Sequence, residues 1–304
     1  MIEGIGMAGL ATLDGWAWAA ILAKATGYAA ALLAMGGPLF LLALPMAADR
    51  VQAIARRLAV AAAAVGALVL ILRFGLRAAR ISGMGMDGAM DAMMLSIVWD
   101  SPLGTSAIWR LAGFLLVLAL VLRASWSTKI AALGSVAVAI SYTQVGHSLG
   151  EPRWLLASLL VAHLLAASFW AAALAPLWRA ADDPNRIEGA ALLHRFGRIA
   201  VWVVGSLMLF GIVFAFFMSG GTPAALLSTA YGWTLIAKVL LVTGLLTLAA
   251  LNKLRLVPAL VAGEPDAPGR LRRSIGLEIA LVAIILLLTA ALTSVTVPPV
   301  NMGS

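Results

Sequence analysis

Eight stretches of about 20 or more mostly apolar residues recur along this chain of 304, and they leave few ways for it to fold. They run over roughly 16–44, 55–78, 103–122, 128–148, 154–178, 194–218, 231–252 and 274–297. A helix rises about 1.5 Å per residue, so each stretch can reach across a hydrocarbon core of about 30 Å. Backbone in lipid must satisfy its own hydrogen bonds, and runs this long without alternation do so as helices. Only 11% of the residues are charged, against about a quarter in soluble domains. The expected fold is all-α: a polytopic membrane protein of about eight transmembrane helices. The first stretch is long enough to tilt and ends near Gly36, Gly37 and Pro38. A less hydrophobic segment, Ile81 to Asp100, separates the second and third.

Charge sets the orientation. The connections after spans one, three, five and seven hold fourteen Lys and Arg, among them Arg50, Arg56, Arg57, Arg123, Arg179, Lys253 and Arg272. The other side holds four: Arg73, Arg77, Arg80 and Arg153. By the positive-inside rule the first set is cytoplasmic, and both termini and the 81–100 segment face the outside. A net charge of +8 would suggest nucleic acid in a soluble chain, but here the cations fall in short loops and no nucleic acid partner is expected. The beginning, MIEGIGMAGLATLDG, lacks a basic n-region and does not read as a cleaved signal peptide.

A weak internal repeat divides a single transmembrane domain, 1–304, into two four-helix halves, 1–150 and 151–304. SPLGTSAIWRLAGFLL (101–116) resembles TAYGWTLIAKVLL (229–241), placing Gly104 over Gly232 and Arg110 over Lys238. Halves of four spans share one orientation, and their interface is a natural place for a site.

Three groups of residues could carry chemistry. His147 lies near the outer end of the fourth span, and His163 lies about 13 Å below Trp154 in the fifth. An ionisable, metal-ligating side chain inside a span is a functional hypothesis by default. The two are offset by about 9 Å along the normal, which suits an outer and an inner station better than one shared site. Second, Met84, Met86, Met90, Met93 and Met94 crowd into eleven residues of the outer segment. In a continuous helix Met86, Met90 and Met93 would share one face. Thioethers suit Cu(I), and the chain contains no Cys to compete. The alternative is an interfacial amphipathic helix with Met as apolar filling. Third, Lys24, Arg110 and Lys238 lie about 10–12 Å in from the outer surface. They either snorkel, with Asp14 and Asp100 as partners, or form an anion pocket that would repel a bare copper ion. Glu278, near the cytoplasmic end of the last span, either balances Lys253 or Arg273 or sits on an ion or proton route. His194, beside Arg195 and Arg198, reads as structural or lipid-facing. There is no phosphate-binding Gly loop, no HExxH and no Ser/His/Asp set, so no catalytic residues are expected.

Several segments resemble the copper resistance protein D family. They are GHS followed by HLLAASFWAAALAPLW (163–178), HRFGRIAVW (194–202), YGWTLIAKVLLVTGLLTLAALNKLRLVPAL (231–260) and RRSIGLEIALVAIILLLTAALTSVTVPP (272–299). WDSPLGTSAIWR (99–110) carries the likeness in the first half. Where the family continues its fifth span with a Gly pair, this chain has Ala171, Ala172 and Ala173. The resemblance implies a bacterial inner-membrane protein that is not an enzyme and binds Cu(I) from the periplasm. It further implies movement of copper towards the cytoplasm, a small periplasmic copper carrier as partner, and family His positions at His147 and His163. Two rivals stand beside it. One is a haem-binding membrane oxidoreductase, whose iron would need an axial His and whose propionates would suit Lys24, Arg110 and Lys238. The other is a copper sensor or assembly subunit that transports nothing.

Overall fold

The computed structural model describes residues 15–145, 152–183, 185–218 and 230–295. It is built of α1 (Gly15–Ala43), α2 (Asp49–Ser82), the short α3 (Gly85–Met90) and α4 (Ala92–Trp99), then α5 (Pro102–Leu118) with a 3₁₀ extension to Leu122. There follow α6 (Ser127–Ser141), α7 (Arg153–Ala180), α8 (Arg186–Met218), α9 (Ala230–Leu251), α10 (Val257–Val261) and α11 (Ala267–Val295). A π-helical stretch, Asn252–Leu256, joins α9 to α10. Among the described residues seven helices are long and apolar enough to cross a membrane. The chain is an all-α, multi-pass membrane protein.

The fourth expected span is the exception in length. α6 has 15 residues and ends in a 3₁₀ turn, Tyr142–Gln144, short of the about 20 residues that a span needs. The polar run Ser141, Tyr142, Thr143 and Gln144 shortens it: Ser141 and Thr143 donate their hydroxyls to the carbonyls of Val138 and Ile140, three residues back.

α1 is the central helix, packed against α2, α6, α7 and α11. Its small residues explain why. Apolar side chains gain nothing by leaving lipid for protein, so membrane helices associate by close packing at small residues. Gly36 lies on the backbone of α7 at Ser168 and Gly37 on Ala59 of α2, and a Cβ at either would collide with them. The helix does not end there: it runs through Pro38 to Ala43, with Pro38 buried among its neighbours. Ser135 of α6 donates to the Met35 carbonyl at 2.8 Å, tying α6 to the same stretch. α5 and α6 meet at Gly113 and Gly134, each of which would place a Cβ against the other's carbonyl. α8 and α9 lie at the rim, where Trp202 is 81% and Leu240 67% exposed, as lipid-facing side chains should be.

The connections after α1 and α7 and the start of α11 meet on one face. Arg50 pairs with the buried Asp183, and Arg272 donates to Asp182 at 2.8 Å while its guanidinium stacks over Trp178. These are three of the loops that the charge rule assigns to the cytoplasm, here called the basic face.

Candidate functional site

At the opposite face the Met-rich segment forms two helices rather than one. Asp91 is extended, with φ −69° and ψ 123°, and its carboxylate accepts the Met94 amide at 2.8 Å, capping α4. That cap competes with helix continuation, so Met86 and Met90 on α3 do not share a continuous face with Met93 and Met94 on α4. Periodicity alone could not show the break. The thioethers nonetheless stay accessible: Met84, Met86, Met90 and Met93 are 61–77% exposed, and Met94 is half-buried. The segment packs on α2 and α5.

His163 sits on α7, ten residues or about 15 Å from the start of that helix at Arg153. It is half-buried and makes no hydrogen bond among the described residues, so both ring nitrogens lack a protein partner there. Lys238 of α9 lies within electrostatic reach of the ring. His147 and Asp14 lie outside the described residues. Among the described residues no three His, Cys, Asp or Glu side chains come together as a metal site. Any soft-metal binding there must rest on imidazole and thioether.

The three intramembrane cations do not form one group. Lys24 donates to the Thr293 carbonyl at 2.7 Å, on the last turns of α11. Arg110 is 7% exposed, donates to the hydroxyls of Ser141 and Ser106 at 3.0 and 3.1 Å, and lies 4.1 Å over the Tyr142 ring. Tyr142 in turn meets Tyr28, whose hydroxyl is 3.4 Å from that of Thr293. Lys24 and Arg110 are bridged by Arg73, a residue sequence reasoning counted only as a loop charge. Lys238 belongs with His163 instead. Asp100 is no partner for them: its carboxylate faces the Ser96 hydroxyl at 3.4 Å.

Glu278 departs furthest from expectation. Neither Lys253 nor Arg273 pairs with it. The carboxylate, 3% exposed, accepts the indole N–H of Trp170 at 3.3 Å and the side-chain amide of Asn252. Trp170 follows His163 by seven residues, two turns along the same face of α7 and about 10 Å towards the basic face. Asn252 opens the π-helical stretch, a distortion that often marks functional positions, and its Oδ1 is buried without a partner. His194 is exposed and lines a groove of about 410 Å³ with Gly197, Arg198, Lys253 and Pro258 on the basic side.

Fold and site thus describe a multi-pass helical membrane protein with exposed thioethers at one face and, inside, an imidazole with no hydrogen bond among the described residues. Comparison with known families gives this a name. The family model described as copper resistance protein D matches residues 190–292, and that of the copper resistance protein D-like N-terminal domain matches residues 12–152. The chain belongs to the copper resistance protein D family. No curated protein and no solved structure matches it.

Proposed function

We propose that this protein binds Cu(I) at its periplasmic face and carries it across the inner membrane towards the cytoplasm. The exposed methionines of 84–94 and His147 capture the ion, and His163 holds it between the two four-helix halves. The observation that carries the proposal is the His163 imidazole: half-buried in a span, without a hydrogen bond among the described residues, in a copper-family chain without Cys. Imidazole and thioether are ligands that copper accepts, and thioether favours the monovalent ion. Lys238 points the same way, because its charge opposes a divalent ion twice as strongly as a monovalent one at equal distance. A small periplasmic carrier is the partner that would deliver the ion.

The test is His163→Ala. Copper accumulation should be lost while the protein remains in the membrane at its normal level, and unchanged accumulation would refute the role. One observation favours a second reading: Lys238 beside His163 would also suit a haem propionate beside an axial ligand. Haem binding and copper binding differ in metal content and in spectrum, so one preparation separates them.

A further inference from the structure

The face that carries the methionines also carries a ladder of arginines. Arg73, Arg77 and Arg80 stand at i, i+4 and i+7 on the last turns of α2 and so share one side of the helix. Arg80 and Arg77 are exposed near the end of α2 at Ser82. Arg73 is half-buried, nine residues or about 14 Å further in. There it borders a small cleft between α1, α2 and α5, lined also by Gly27, Gly66, Phe114 and the buried Arg110. Gly27 packs close to this stretch of α2: a Cβ there would stand 3.3 Å from Val69 Cγ1 and 3.9 Å from Arg73 Nη1. Lys24, one turn before Gly27 on α1, is within electrostatic reach of Arg73, Arg77 and Arg80, and Arg73 is within reach of Arg110.

Five cations from three helices therefore converge at one rim of the membrane. Among the described residues none of Arg73, Arg77, Arg80 and Arg110 pairs with an acid, and Arg73 makes no hydrogen bond. Like charges gathered at low dielectric repel unless an anion shares them. Arg110 is already held by two hydroxyls and the Tyr142 ring, so one guanidinium is fixed before any ligand arrives. Guanidinium forks match phosphate oxygens in pairs.

We propose that Arg73, Arg77, Arg80, Arg110 and Lys24 form a binding site for a phosphate group, supplied by the headgroup of an anionic phospholipid. The inference does not rest on the copper reading. Detergent-purified protein is titrated with phosphatidylglycerol, phosphatidylcholine or inorganic phosphate, and occupancy is read by native mass spectrometry. Phosphatidylglycerol should be retained over phosphatidylcholine, with a loss of about fivefold in affinity for each arginine removed and on the order of 25-fold for Arg73→Gln with Arg77→Gln. The Arg73→Lys and Arg77→Lys pair should keep most of the preference. Arg57→Gln, on the basic face, should keep all of it. If the double Gln variant does not fold, Arg80→Gln at the exposed end reads the single fivefold step. Binding of inorganic phosphate that displaces the lipid would establish the phosphate site with a free anion as its source. Equal retention of both lipids without a phosphate effect, or an unchanged preference in the folded Gln variants, would overturn the proposal.

Discussion

Replacing Glu278 separates two accounts of the acid inside the membrane. Glu278→Ala takes away the acceptor that Asn252 and Trp170 use, in a place where Glu278 is 3% and Asn252 8% exposed. Each buried donor left without a partner costs about 1–3 kcal/mol, giving roughly 2–6 kcal/mol for the pair. Removing the carboxylate also relieves the cost of keeping it from water, which brings the expected loss to about 2–3 kcal/mol. At about 2–4 °C per kcal/mol, the midpoint should fall by roughly 5–10 °C. Glu278→Gln is different. It keeps one carbonyl oxygen, for Trp170, and once the Asn252 side-chain amide turns over its new N–H can donate to Asn252 Oδ1, with Nδ2 taking the place where Oδ1 stood without a partner. Its loss should stay below about 1 kcal/mol, the scale of one exchanged hydrogen bond. Heating detergent-purified protein and measuring the fraction that remains monodisperse gives both midpoints. If the Ala variant melts with the wild type, or the Gln variant melts as early as the Ala variant, the hydrogen-bonded acid does not hold α7, α11 and the π-helical stretch together.

Two further outcomes follow from packing and exposure. Gly134→Val should destabilise by about 1–3 kcal/mol or prevent folding, because its Cβ would stand 2.6 Å from the Gly113 carbonyl oxygen, whereas Gly205→Ala, with nothing within 4 Å, should melt with the wild type. Replacing Met84, Met86, Met90 and Met93 together by Leu should leave the melting midpoint nearly unchanged, each site contributing within about 0.5 kcal/mol, while lowering copper accumulation when copper is scarce. Normal accumulation in that variant would leave the segment as apolar surface only.

The helices were legible in the sequence because a span is a matter of length and apolarity, both visible one residue at a time. What broke those readings was local polar chemistry. Asp91 lies inside the run that the spacing of Met86, Met90 and Met93 reads as one helix, yet as a cap it ends one helix and starts another. Pro38 looked like a stop and is carried inside α1 between close-packed neighbours. The partners of Glu278 were out of reach for another reason: Asn252 lies 26 residues away and Trp170 108, and no spacing rule links a tryptophan and an amide to an acid across three helices. Arg73 was misjudged in the same way. As one of four charges on the sparsely basic side it only helped to orient the chain, and its place between Lys24 and Arg110 depends on how α1, α2 and α5 pack.

The most direct measurement is a visible absorption spectrum of the purified protein, reduced and oxidised, on a sample also analysed for copper and iron, for the wild type and His163→Ala. The account predicts no Soret band, Cu(I) bound by the wild type, and less bound by the variant. A Soret band with stoichiometric iron would contradict it and make His163 and Lys238 the axial ligand and propionate partner of a haem.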